Sequence, residues 1–291
     1  MNIFPTVPAR LKGVSTGEVG RGDGDSEDSI LSDELRKALV LHGETPGPIT
    51  STTKSLYKKR LLRFQQLGNL LKIPSEQAVK ESPKPCYSAE LSEALEDLSL
   101  LDEADLTSCE AEMVSQFQRP VEGVNWREGV VKSAFTYLLL DPRVTCNLPA
   151  QTHLSEKEKF RTFVSSVFYI GKGQRSRPYS HLYEALRATE NKHKEPVKKV
   201  KQIQEIWESG MGVVSLHIFL SVIPAEAYTR EAAMIDAIGL KNLTNIRRGD
   251  YYGISSTWDP CQRRRVGTFL LLKAMRILLH EGERQLWPAN L

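Results

Sequence analysis

Two phenols, an ammonium, a guanidinium, an imidazole, a carboxylate and an amide recur in the C-terminal half of the chain in an order that could handle one bound anion. Tyr137 lies inside the apolar run 134–140, and Tyr169 follows the aromatic and β-branched run 163–168. Lys172 sits between Gly171 and Gly173. Arg177 and His181 are four residues apart, which places them on one face of a helix. Glu231 is followed by Ala232, Ala233, Met234 and Ile235. A lone carboxylate in such company is costly to bury unless something neutralises it, and a hard divalent cation would. Asn245 can hydrogen-bond without adding charge.

Taken singly, each residue has an ordinary structural explanation. A strand tyrosine is usually a packed ring with a wet hydroxyl. Arg177 and His181 could be a solvated helix face, and Glu231 could pair with Arg230 or Arg247. Gly171-Lys172-Gly173 reads as a basic turn without the pattern of a phosphate loop. Asn245 could be a cap. Their combination and order carry the catalytic reading.

The elements that must position them follow from periodicity. Residues 134–140 form a first strand, ended by Asp141-Pro142, and 143–161 a polar connection. Residues 163–170 form a second strand, closed by the Gly-Lys-Gly turn. Helices are expected over 176–188, with Pro178 in the first turn, and over 196–209. A third strand alternates over 214–221, a helix spans 225–238, and a last apolar helix covers 268–280. A hairpin of the first two strands would set Tyr137 and Tyr169 side by side. The fold class is α+β, with a small central antiparallel sheet flanked by helices over 121–291.

The chain has 291 residues and a formal charge of +3, which conceals an uneven distribution. Residues 74–120 carry eleven acidic against three basic residues and are expected to be an acidic flexible linker. Within it, 91–106 could be a short amphipathic helix or an export-type peptide. Residues 1–30 read as a disordered tail. The cysteines 86, 109, 146 and 261 show no zinc spacing, no apolar run is long enough to span a bilayer, and no secretory leader is evident. Nucleus and cytoplasm, with shuttling between them, is the expected location.

The ordered set resembles the GIY-YIG nuclease family. Phe135-Thr136-Tyr137 stands where the first family tripeptide belongs, keeping only its tyrosine, and Tyr169-Ile170-Gly171 is an intact second one. The connection between them is longer than the family's usual hairpin. Lys172, Arg177, His181, Glu231 and Asn245 match family positions in order, over roughly 130–250. The resemblance implies a divalent-metal-dependent endonuclease hydrolysing phosphodiester bonds in DNA. It makes Glu231 the ligand of one Mg²⁺ or Mn²⁺ and Tyr137 the residue that positions or deprotonates the attacking water. Arg177 and Lys172 are then cationic partners of the phosphate and phenol, Tyr169 and His181 orienting groups, and Asn245 a brace.

Residues 31–73 are similar to a LEM domain, a small helical adaptor, through Leu35-Arg36, the helix end at 39–43 and the run Gly47-Pro48-Ile49-Thr50 with the basic helix after it. That resemblance implies barrier-to-autointegration factor as a partner. Arg263-Arg264-Arg265, Arg247-Arg248 and Lys198-Lys199 could form a rim for a nucleic-acid backbone, and Tyr251, Tyr252 and Trp258 could stack on unpaired bases or pack the tail. No helix reads as a base-reading element, which favours branched or flapped DNA over a base sequence. A non-enzymatic chromatin adaptor is the competing class. A nucleotide-binding enzyme fails for want of a phosphate loop.

Overall fold

The computed structural model describes residues 85–118, 123–190 and 196–291 continuously. Before them it describes only 32, 34–39, 48–50, 53–55, 57–58 and 61. The tail expected over 1–30, and most of the LEM domain expected over 31–73, lie outside the described residues. The chain divides into two units, Met1–Val79 and Lys80–Leu291.

In the first unit, residues 34–39 are helical with Leu35 and Leu39 buried, four apart and so on one face. Thr50 opens a second helix. Its carbonyl accepts from the Lys54 amide at 2.8 Å, and its own amide donates to Thr53 Oγ1 at 2.8 Å. The reciprocal side-chain contact satisfies a donor that has no partner inside the helix.

The second unit is built on a four-stranded antiparallel sheet of spatial order β2-β1-β3-β4. Its strands are β1 (Ala134–Leu140), β2 (Val167–Gln174), β3 (Val213–Val222) and β4 (Gln285–Leu286). Strand β1 is central and buried along its whole length. Alternation splits it between two cores. Leu138 and Leu140 face one side, with Ile170, Leu216 and Ile218. Phe135, Tyr137 and Leu139 face the other. Helices α5 (Arg177–Glu190) and α6 (Lys198–Glu208) cover the tyrosine side through Leu182, Val200, Ile203 and Ile206. The opposite side packs on α7 (Pro224–Ile238) and α8 (Pro260–Glu281). These two helices approach so closely that Gly267 has only the Ala233 carbonyl where a Cβ would stand.

Over its described residues, 85–118, the acidic segment is not a flexible linker. It forms α1 (Ala89–Glu96) and α2 (Glu103–Gln118), which cover the α7–α8 side. Leu91, Ala94 and Leu95, then Leu106, Met113 and Val114, form buried stripes at helical spacing. Burial of Leu91, Leu95 and Leu106 also withdraws the export-peptide reading of 91–106. The compact domain therefore begins well before residue 121. Two bonds tether its start: the Asn242 side-chain amide donates to the Cys86 carbonyl at 2.9 Å, and the Ser88 amide donates to the Ala237 carbonyl at 3.1 Å.

The connection between the first two strands is ordered too. It holds a single turn, α3 (Pro142–Thr145), and then α4 (Glu156–Ser166). Helix α4 starts at a capping box, in which Ser155 Oγ accepts from the Glu158 amide and Glu158 accepts from the Ser155 amide. Residues 163–166, expected as strand, are the last turn of this helix, with Phe160, Phe163 and Val164 in the core. The second strand begins at Val167 and runs through the Gly-Lys-Gly run to Gln174. The turn comes later, at Arg175, whose φ is +50°.

Candidate active site

Register decides what the two tyrosines can do together. Tyr137 pairs with Gly171 and Leu139 with Tyr169, so the two phenols are diagonal neighbours on one face of the sheet. Their ring centroids are 6.1 Å apart. Gly171 is required by this packing rather than by a turn. A Cβ there would stand 2.5 Å from Tyr137 Cζ and 2.8 Å from Tyr169 Cε1. Likewise, a Cβ at Gly173 would press on Arg177 Cβ at 2.7 Å.

Helix α7 lies on the other face of the sheet, yet Glu231 reaches the same cleft because β2 is an edge strand. The outward peptide groups of β2 are therefore available to side chains. Asn245 takes both groups of Ile170, accepting from its amide at 3.1 Å and donating to its carbonyl at 2.7 Å. Asn245 thus stands in for a missing neighbouring strand and locks β2 beside Tyr169. Two residues on, the Lys172 amide faces Glu231. One cleft is lined by Tyr137, Tyr169, Lys172, Arg177 and Glu231, together with Glu128 and Tyr228.

His181 is not on the cleft wall. It is buried behind Tyr137, with Nε2 2.8 Å from the phenolic oxygen. Burial first, and then the Lys199 and Arg177 charges, pull its pKa down to about 3, so the ring is neutral. Burial pushes the Tyr137 phenol strongly upward, helped by Tyr169 and opposed by Arg177. Tyr169 moves the same way, through burial and then the Glu231 charge. Burial also raises Glu231 to about 7 against the pull of Lys172.

No ion pair to Glu231 forms among the described residues. Its sequence neighbour Arg230 turns inward instead, to Glu110 at 2.6 Å and Glu226 at 2.9 Å. Arg177 is exposed and makes no ion pair among the described residues. Lys172 is engaged: its ammonium lies 2.8 Å from Glu128 and 3.9 Å from the centre of the Tyr228 ring. Tyr228 donates to the same carboxylate at 2.7 Å. Sequence reasoning missed Glu128 and Tyr228, and it named Lys199 only as part of a backbone-binding rim. Tyr228 could have been found from its place three residues before Glu231 on the same helix, whereas Glu128 lies in a loop with no motif.

An adjoining cleft carries Asn245 and continues the site past Tyr169 and Glu231 along Lys198, Lys199, Lys241, Arg247 and Arg248. The expected rim at 263–265 is otherwise occupied, because α8 begins at Asp259-Pro260 and includes it. Arg264 forks onto Glu90 at 2.7 and 2.8 Å, Arg265 meets Asp105 at 3.0 Å, and Arg263 donates to the Ser255 carbonyl at 3.0 Å. Tyr251, Tyr252 and Trp258 are packing residues: Trp258 is buried, Tyr251 donates to Asp236 at 2.9 Å, and Tyr252 packs with the Phe117 cluster.

The donor set at Glu231 fits a Mg²⁺-like ion better than zinc. It offers a half-buried carboxylate with no cation in contact and phenolic oxygens nearby, and no group of three or more His, Cys, Asp or Glu forms a cluster among the described residues. Such ions use one or two carboxylates and keep waters or phosphate oxygens for the rest.

A small antiparallel sheet with paired tyrosines on its first two strands and a glutamate helix at the sheet edge is the architecture of a GIY-YIG nuclease domain. The chain belongs to that class through the LEM-3-like GIY-YIG domain family, whose model matches residues 134–291; the LEM domain model matches 29–72. It is 44% identical over 269 residues to human ankyrin repeat and LEM domain-containing protein 1, covering 90% of this chain and 41% of that protein. The mouse protein of the same name is 41% identical over 93% of this chain and 49% of its own length. A Caenorhabditis elegans homolog is 32% identical over 89% of this chain and 35% of its own. The chain thus spans less than half the length of these relatives. No solved structure matches. Nucleases of this family typically use divalent metals. No helix among the described residues is long and apolar enough to cross a membrane.

Proposed function

We propose that the domain is a divalent-metal-dependent endonuclease that hydrolyses phosphodiester bonds in branched or flapped DNA. One observation carries this reading: Tyr137, Tyr169, Lys172, Arg177 and Glu231 line a single cleft, and Glu231 makes no ion pair among the described residues. Glu231 would hold Mg²⁺ or Mn²⁺, which supplies charge neutralisation at the phosphate when bound. Arg177 is free to donate paired hydrogen bonds to the phosphate oxygens as charge accumulates on them. The Tyr137 oxygen holds the attacking water. Burial disfavours its phenolate, so the surrounding donors must offset that cost before it can take a proton. Tyr169, beside it, orients the phosphate, and Lys172 adds positive charge at the cleft mouth once Glu128 yields.

Shape selection is supported by the cationic side of the adjoining cleft, where Arg247, Arg248, Lys198 and Lys241 are exposed. Contacts of that kind position a backbone without reading bases. A role in DNA repair or genome maintenance, and a nuclear site of action, fit a nuclease joined to a LEM module. The barrier-to-autointegration factor is the partner proposed for that module. The test is a panel of intact, nicked, flapped and branched duplexes incubated with the full chain, with and without Mg²⁺. Metal-dependent cleavage of the branched or flapped forms is expected. DNA binding without cleavage of any form would instead establish an adaptor.

A further inference from the structure

Behind the tyrosine side of the cleft lies a short chain of hydrogen bonds that ends on Lys199, a residue the family motifs leave unaccounted for. Lys199, on α6, is largely buried, with its side chain 14% exposed. Its Nζ lies 2.7 Å from His181 Nδ1, and His181 Nε2 lies 2.8 Å from the Tyr137 phenolic oxygen. An ammonium has three protons to donate and no lone pair to accept with. A neutral imidazole has one nitrogen of each kind, and the bond made by one nitrogen fixes the role of the other.

We propose that Lys199 is a positioning residue for Tyr137: by donating to Nδ1 it fixes His181 as the Nε2–H tautomer, which makes the imidazole a donor to the phenolic oxygen. The inference rests on the nuclease reading for its catalytic consequence, though not for its geometry. Two neighbours favour the charged form of Lys199. Glu184 Oε2 lies 3.5 Å from Nζ, and the Tyr169 ring centre lies 5.1 Å from it. Burial pulls the lysine downward and Glu184 opposes it. The imidazole itself stays neutral.

The opposite tautomer would be the less useful one. With Nδ1 protonated, Nε2 would accept from the Tyr137 hydroxyl, holding its proton and disfavouring negative charge on the oxygen. With Nε2 protonated, the phenolic oxygen gains a fixed donor in a buried place, where such a bond is worth more than in water. Its own hydroxyl proton is then free to turn into the cleft. A wrong tautomer in an otherwise intact site is known to cost an enzyme orders of magnitude in rate.

The experiment uses the full chain with imidazole nitrogens labelled with ¹⁵N, as wild type, Lys199→Met and Lys199→Arg. The imidazole spectrum of the DNA-free protein is read first. Nicking of supercoiled plasmid in Mg²⁺ is read second. Expected are an unprotonated Nδ1 in the wild type and a mixed or inverted tautomer in Lys199→Met. The kcat of that variant should fall about 10²-fold with KM little changed, and Lys199→Arg, which still donates, should regain part of the loss. A protonated Nδ1 in the wild type would overturn the proposal. So would a rise in KM at constant kcat, which would make Lys199 a phosphate anchor. If no chain nicks DNA, the nuclease reading fails, while the spectrum still decides the tautomer.

Discussion

Where α1 and α2 meet α7 and α8, carboxylates and cations are matched nearly one to one. Glu90 holds Arg264, Asp105 holds Arg265, Glu103 holds Arg276, and Glu110 bridges Arg230 and Lys273. In the cleft at the β2 edge they are not. Glu231 makes no ion pair, and neither do Arg177, Arg247 and Arg248, among the described residues. Matched charges satisfy one another and serve architecture. Unmatched charges in a concave, partly buried place are held for a ligand. The same residue types therefore serve architecture in one place and a ligand in the other. Arg230 and Glu231 show it most sharply, since adjacent positions on one helix fall on opposite sides of that division. Lys172 lies between the two cases: it is paired, but its partner Glu128 comes from an exposed loop.

The comparison can be broken first at the chemistry. Tyr137→Phe keeps the ring that fills the space between Gly171 and His181 and removes only the hydroxyl. Turnover should fall by about 10²- to 10⁴-fold, with the unfolding midpoint changed modestly. A rate within a few-fold of wild type would remove Tyr137 from the chemistry. The matched side should answer in stability instead. Glu110→Ala leaves Arg230 and Lys273 short of a partner, and Arg230 is buried. Denaturant unfolding should show a loss of about 3–5 kcal/mol, while the folded fraction cleaves at the ordinary rate. Smaller again, Arg247→Ala or Arg248→Ala should weaken DNA binding across all sequences and lower the slope of log K against log salt by about 1 each. An unchanged slope would place those side chains off the nucleic-acid path.

Much of the site was legible because its signals are local or ordered: the second tripeptide, the i, i+4 pair on α5 and the solitary acid in an apolar helix. The strand and helix sequence from β3 to α7 was legible for the same reason, since its periodicity is clean. What failed was composition overriding pattern. The acidic residues of 74–120 suggested a solvated spacer, although Leu106, Met113, Val114 and Phe117 repeat at helical spacing beneath them. The partners that neutralise that charge lie on α7 and α8, beyond the reach of any local reading. Two start signals are local: Ser155 with Glu158 opens α4, and Asp259-Pro260 opens α8. They place 163–166 and the arginine run in helices. Deleting the acidic segment would take Leu91, Leu106 and Met113 out of the core. Glu128 and Lys199 depend on tertiary approach, and no spacing in the sequence announces them.

The most direct test is Glu231→Gln. Burial holds the Glu231 carboxyl near 7 in the folded protein, against 4.5 ordinarily. The folded state then binds that proton more tightly than the unfolded chain, so its stability falls as pH rises from about 4.5 to about 7. A neutral glutamine removes that loss. In chelator at pH 8 the variant should therefore be more stable than its parent, by on the order of 3 kcal/mol, and in Mg²⁺ it should bind branched DNA without cutting it. Metal-dependent cleavage by Glu231→Gln near the parent rate would contradict the account.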